Sequence, residues 1–291
     1  MEPVRKTCQL GEIHLSYLEW NQGTEPLLLL HGLADHALVW LRLGDDLSDR
    51  YHIVAVDMRG HGESSKPESG YRFVDAIADL EGLMDALGWS DAHVVGHSWT
   101  GKLLPIWAAQ NPQRLRTMTL VDPIFIFKMP NWSKVTFPFL YRVLPFLKGM
   151  GPFANYEEAL TKGQKMSQYR DWNDWQKQVF VESIEEKPDG TWGSKFTIPA
   201  RDEIFTEVMQ VAGLTQSIET PTLFVQPERG VNRMEWQLKP YKKHLPNLQL
   251  RRVPGNHWTF LVEPDAFNRT VETFLEAHRG QPPLATPARE S

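Results

Sequence analysis

Strand-sized apolar runs alternate with helix-periodic segments along the first 122 residues, and few folds accommodate that alternation. "EIHLSYLEW" reads as extended, "PLLLLHG" as a buried strand, "ALVWLRLGDDL" as a helix and "YHIVAVD" as a further strand. An amphipathic helix, "FVDAIADLEGLMDALGW", follows, then the strand "AHVVGHS", the helix "GKLLPIWAAQNP" and the strand "LRTMTLVD". Such repetition predicts an α/β fold, a mostly parallel, doubly wound sheet with helices on both faces. In sheets of this kind the chemistry lies at the carboxyl ends of the strands.

After Asp122 the alternation stops. Residues 124–205 are first rich in aromatics and prolines, then helical and polar through "YEEALTKGQKMSQYRDWNDWQKQVFVESIEE", with a turn signal at "KPDGTW". They read as an insertion between a first core segment, 1–123, and a second, 206–278. The second resumes with the strand "TPTLFVQP", the helix "MEWQLKPYKKHLP" and the strand "LQLRRVPGNH". Its closing helix sets Phe267, Val271, Phe274 and Leu275 on one stripe, as docking onto a sheet requires. Residues 279–291 lack apolar periodicity and are expected to be a disordered tail.

Composition narrows the partners. Across 291 residues, 31 Lys and Arg stand against 36 Asp and Glu, a net charge of −5 without long runs of either sign, which argues against nucleic acid and anionic membranes. A single cysteine, Cys8, forbids an intrachain disulfide, and "MEPVRKTCQLGEIH" lacks a secretory apolar segment, so a cytoplasmic protein is expected. The longest apolar stretches are strand-sized, too short to span a bilayer. Many of the eleven tryptophans and fourteen phenylalanines fall in 124–205. Phe125, Phe127, Trp132, Phe137, Phe139 and Tyr141 are candidate walls of an apolar small-molecule pocket.

Three motifs carry chemistry. In "VVGHSWTGKL" a β-branched strand leads through Gly96-His97-Ser98 into a helix, the setting of a nucleophile elbow. Thr100 stands where the strict motif has glycine, and Gly101 follows one place later, so a reshaped turn is expected. Pro105 removes a helix donor nearby and is expected to bend the helix, relieving that crowding. A strand ending in His31-Gly32 sets the Leu33 amide where it can join that of Trp99 in an oxyanion hole. His257, beyond the last strand in "VPGNHWTFLVEP", suits the general base. No histidine pair has metal-ligand spacing, and no metal or other cofactor is implied.

With "LLLLHG", "VDMRGHGESSKP", "VVGHSWTG", "TPTLFVQP" and "VPGNHWTFLVEP" in this order, the chain resembles the α/β-hydrolase superfamily. The resemblance implies that the insertion is a helical cap. It also implies that Asp57, Arg59 and His61 are structural support rather than catalysts. In most relatives the loop after the strand like "TPTLFVQP" carries the triad acid, but "QPERGVNR" has Gly230 at that place. Three readings stay open: Asp122 after the preceding core strand, as in some haloalkane dehalogenases; Glu228 reaching over from the usual loop; or no acid at all. Dehalogenases use an aspartate nucleophile, whereas Ser98 suits acyl transfer. Trp99, at the place of their halide-binding Trp, reads here as a pocket wall.

The expectation is a serine hydrolase acting on an apolar carboxylic ester, with catalytic Ser98, His257 and Asp122, and with Leu33 and Trp99 as oxyanion donors. A C–C bond hydrolase on a diketone, using the same residues, and a non-catalytic ligand receptor are the alternatives. The substrate's chain length and the oligomeric state are left open.

Overall fold

The computed structural model describes residues 2–130, 132 and 150–284. Its strands are β1 (Val4–Leu10), β2 (Ile13–Asn21), β3 (Glu25–Leu30), β4 (Tyr51–Val56), β5 (Ala92–His97), β6 (Leu115–Val121), β7 (Ile184–Glu186), β8 (Trp192–Ser194), β9 (Thr222–Arg229) and β10 (Leu248–Asn256). Eight of them form one sheet in the order β1-β2-β4-β3-β5-β6-β9-β10. The β1–β2 and β2–β4 pairs are antiparallel, and every other pair is parallel.

The two-sided burial of the sheet explains its sequence. Along β3, Leu28 and Leu30 enter the core on one face and Leu27 and Leu29 the core on the other. A strand buried on both faces reads as a continuous apolar run instead of an alternating one. Each such leucine contributes roughly 1.5–3 kcal/mol on burial. On the first face lie α2 (Phe73–Ala86), α3 (Trp99–Gln110) and, later in the chain, a helix over Glu235–His244. On the second lie α1 (Leu41–Leu47) and the closing helix, Pro264–Glu276, whose Phe267, Val271, Phe274 and Leu275 are all buried.

Among the described residues, three α-helices lie between β6 and β9: α4 (Tyr156–Gly163), α5 (Asp174–Glu182) and α6 (Ile198–Gln210). The remaining helices are α7 (Glu235–His244), a single turn α8 (Thr259–Val262) and the closing α9 (Pro264–Glu276). The segment read as helical up to Glu186 ends at Glu182; Ile184–Glu186 pairs instead with Trp192–Ser194 across a turn with Gly190 at φ 82°. A strand of three residues is too short to show a period. The expected division after residue 205 falls inside α6. Phe137, Phe139 and Tyr141, and residues 285–291 of the expected tail, lie outside the described residues; 281–284 have no regular structure.

β1 was not expected from the sequence. It is an edge strand with Arg5 and Lys6 in an exposed run, so it presents no apolar face to read. No helix among the described residues is long and apolar enough to cross a membrane.

Candidate active site

β5 ends at His97 and α3 begins at Trp99, so Ser98 alone makes the turn. Its backbone sits at φ 60° and ψ −113°, a conformation costing a non-glycine residue about 1–3 kcal/mol and kept only where the surroundings impose it. Here they do. Ser98 N–H donates to Val121 O at 3.0 Å, and Ser98 O accepts from the Lys102 and Ile124 amides at 3.2 Å each. A Cβ at Gly96 would stand 2.9 Å from the Thr100 carbonyl group, and one at Gly101 would stand 3.0 Å from Gly96 O. Thr100 itself is buried, its hydroxyl 3.0, 3.1 and 2.9 Å from the carbonyl oxygens of Leu30, His31 and His97. The hydroxyl thus ties the elbow to the end of β3.

β6 and the segment after β10 bring Asp122 and His257 together. The His257 Nδ1–H donates to Asp122 Oδ2 at 2.7 Å, which leaves Nε2 as the unbonded ring nitrogen. The same carboxylate accepts from Val231 N (2.8 Å), Asn232 N (3.2 Å) and Asn232 Nδ2 (3.1 Å). Burial works to raise the Asp122 carboxyl, but the His257 hydrogen bond and charge, with the Val231 and Asn232 donors, outweigh it and hold the group below the ordinary carboxylate range. Glu228 is exposed near the end of β9, and no hydrogen bond joins it to His257 among the described residues. The structure therefore brings Asp122 to the histidine and leaves Glu228 apart.

Gly32 and the elbow set the two candidate oxyanion donors. Trp99 is the first residue of α3, whose N–H has no intrahelical acceptor. Leu33 follows the end of β3 in a turn closed by Asp35 N–H to Gly32 O (3.3 Å), and neither amide donates to a loop carbonyl among the described residues. His31 is structural: its ring bonds Gly32 O (2.7 Å) through Nδ1 and accepts from Met58 N (3.0 Å) at Nε2. Asp57 is likewise buried, accepting from Ala37 N (2.7 Å), Glu63 N (3.0 Å) and Arg5 (2.9 Å). Arg59 pairs with Asp79, and His61 stacks on Phe196.

Ser98, Leu33, Trp99 and His257 all line one cavity of about 340 Å³. Ile124, Phe125, Ile126 and Phe127 form one wall and Ile204, Phe205 and Val208 of α6 another, with Trp236 and Trp258 completing the lining. No charged side chain lines it among the described residues. Trp132 is exposed and lies outside this lining.

Two supporting residues escaped sequence reasoning. Asn232 holds Asp122 and also donates to Pro123 O (2.6 Å), fixing the loop at Gly230 against the end of β6. His97 Nε2–H donates to the His257 carbonyl (3.0 Å), so the residue before the nucleophile braces the backbone of the histidine. The neighbouring Asp35 is buried, 3.6 Å from His97 Nδ1, and accepts from Trp258 Nε1 at 3.2 Å. Burial raises its carboxyl above the ordinary range. Only long-range packing identifies these roles; the one local signal was the position of His97 beside Ser98.

A family model described as alpha/beta hydrolase fold matches residues 25–264. Over 120 residues the chain is 37% identical to a 2-(acetamidomethylene)succinate hydrolase of Mesorhizobium japonicum, a match spanning 41% of this chain and 42% of that protein. It is 24% identical over 305 residues to a fluoroacetate dehalogenase of a Burkholderia species, with 94% of each chain covered. The crystal structure of an E-2-(acetamidomethylene)succinate hydrolase superposes with a TM-score of 0.76 at 23% identity, covering 94% of this chain and 99% of that one. At that identity the likeness concerns the fold.

Proposed function

Because the chain belongs to the α/β-hydrolase family, we propose that it is a serine hydrolase cleaving a neutral, apolar carboxylic ester through an acyl-enzyme. The observation that carries this reading is the 2.7 Å Asp122–His257 hydrogen bond beside a cavity that Ser98 also lines. Ser98 Oγ attacks the ester carbonyl carbon, and its proton passes to His257 Nε2. The Leu33 and Trp99 amides hold the oxyanion, an interaction worth ~10²–10³ in rate per donor. The bond to the alkoxy group breaks as His257 returns the proton to it. Water then attacks the acyl carbon and gives a proton to the same nitrogen; the bond from that carbon to Ser98 Oγ breaks as His257 returns the proton to Oγ, and the carboxylic acid leaves. Asp122 keeps the ring in the Nδ1–H tautomer and favours the transient imidazolium.

The apolar walls support a neutral substrate. Cleavage of a bond other than an ester on the same residues, a C–C bond of a diketone among them, is the second reading, favoured by the likeness to a hydrolase of 2-(acetamidomethylene)succinate. A succinate carries two carboxylates, which call for cationic partners, and the described lining supplies none. With one cysteine the protein needs no oxidising compartment, which fits a cytoplasmic enzyme.

The test is pre-steady-state hydrolysis of p-nitrophenyl butyrate. A burst of p-nitrophenol matching the enzyme concentration, absent in Ser98→Ala, supports the acyl-enzyme. Turnover of a diketone without any ester burst would transfer the assignment to C–C cleavage, and a ligand that shifts the melting temperature without turnover would make the protein a receptor.

A further inference from the structure

Lys102 lies one turn beyond Ser98 on α3, where helical periodicity places it against the core, and it is fully buried. No carboxylate forms an ion pair with it among the described residues. Its Nζ instead donates to three backbone carbonyls: Phe125 O, Val208 O at 2.5 Å and Phe127 O at 3.4 Å. Burying an ammonium is costly unless hydrogen bonds or an ion pair offset the lost hydration, and here three carbonyls take that part. All three acceptors belong to residues lining the candidate substrate cavity, and they come from both of its apolar walls.

Each wall needs such a donor. Val208 is in the last turn of α6, where carbonyls lack intrahelical partners and the helix dipole favours a cation. Residues 122–130 form no helix or strand; Met129 N–H donates to Met209 O of α6 (2.7 Å), and Ile126 O accepts from Gly213 N–H in the loop after α6 (2.8 Å). The Lys102 stem passes where little space remains, since a Cβ at Gly213 would stand 3.0 Å from Lys102 Cγ. Below, the Lys102 amide and the Ile124 amide share Ser98 O as acceptor. One side chain thus links the nucleophile's helix to both sides of the cavity.

We propose that Lys102 is a specificity-determining positioning residue, whose ammonium pins the Phe125–Phe127 segment and the end of α6 to the nucleophile helix and so sets the shape of the apolar substrate cavity. The selection of substrate length rests on the ester-hydrolase reading; the pinning of the walls does not. Burial pushes the Lys102 ammonium down to about 7, against the opposing influence of Glu207, so near neutral pH it shares the site with the neutral amine, which still has two donors for the wall carbonyls.

The experiment compares wild type with Lys102→Met, which removes every donor, and Lys102→Gln, which keeps two. Hydrogen exchange read by mass spectrometry is expected to accelerate about tenfold or more in peptides covering 124–130 and 204–213 of Lys102→Met, and less in Lys102→Gln, with β3 and β5 unchanged. Exchange that is unchanged in those peptides, or that rises equally throughout, overturns the pin. Should Lys102→Met fail to fold, Lys102→Gln decides on the same peptides. Selectivity is read twice: as kcat and KM for p-nitrophenyl esters of two to twelve acyl carbons, and as dissociation constants of methyl ketones of matching length in a Ser98→Ala background. The expected result is at least a fivefold flattening of the length preference, carried by KM and by ketone affinity. A preference that keeps its profile, or a uniform loss in kcat alone, overturns the specificity role. If wild type cleaves no ester, the ketone series and the exchange pattern still decide the role of Lys102, and the functional reading fails separately.

Discussion

Asp122 occupies the space that any side chain at position 230 would need: a Cβ built on Gly230 would stand 2.5 Å from Asp122 Oδ2. Gly230 lies in the loop where a triad acid was expected, and its lack of a side chain leaves room for the carboxylate that arrives from the end of β6. The glycine and the Asp122 carboxylate beside it are one packing feature.

That relation makes Gly230→Ala harmful out of proportion to its size. The added methyl must displace the Asp122 carboxylate or the 229–232 backbone, and overpacking of this kind costs about 1–3 kcal/mol. A lowered urea midpoint together with slower Ser98 acylation is the expected outcome. Unchanged stability and acylation would mean that the loop yields freely.

Returning the acid to the usual loop is expected to work in part. In Asp122→Ala/Gly230→Asp the new carboxylate enters the volume vacated at residue 122, whereas Asp122→Ala alone leaves His257 without its partner. The double variant should acylate faster than the single one, read as second-order rate constants side by side. Equal rates would show that position 230 cannot address the ring.

Thr100 contributes through its hydroxyl, which lies within 3.1 Å of three carbonyl oxygens. Thr100→Val keeps the volume and removes the donor, leaving buried carbonyls short of a partner at a cost of about 1–3 kcal/mol. Thr100→Ser keeps the hydroxyl and should lose less. A valine variant as stable as wild type would make the residue a mere filler.

The protein is expected to lose stability as pH falls below neutral. Burial lowers the pKa of His31, His36, His61, His93 and His97, with His93 pushed down to about 4. Unfolded histidines titrate near ~6.5, so below that pH the unfolded chain takes up protons that the folded one refuses, and stability falls with pH until the folded values are reached. Asp122, held low, adds to the loss as pH drops below about 4. Asp35, whose carboxyl burial raises, works in the opposite sense as a single group. Melting temperatures from pH 7.5 to 4.5 should therefore decline, less steeply in His93→Gln. A flat profile would contradict the burial of these rings.

Much of this was legible because it is local. The placement of Ser98 in the turn needed only a strand and a helix in succession, and that of His257 at the cavity only its position after the last strand. The β3 leucines announced two-sided burial by their continuity. β1 was not legible, since an exposed edge strand bearing Arg5 and Lys6 carries no apolar signal. Asn232 and the packing of Gly230 against Asp122 join segments more than a hundred residues apart, which no periodicity reports. Lys102 was missed for another reason: a lysine on a helix ordinarily marks the solvent face, and this one is buried behind the cavity wall.

A nucleophilic Ser98 and a His257 oriented by Asp122 both have consequences for the rate of covalent labelling. Labelling by a fluorophosphonate probe, followed by intact mass for wild type, Ser98→Ala, Asp122→Asn and Glu228→Gln, tests both most directly. The expected result is stoichiometric labelling of wild type, none of Ser98→Ala, a rate reduced toward the ~10⁴-fold loss seen when a triad acid is neutralised in Asp122→Asn, and a rate within about twofold of wild type in Glu228→Gln. Folded wild type that resists labelling, or a rate that collapses in Glu228→Gln while Asp122→Asn keeps its own, would contradict this reading.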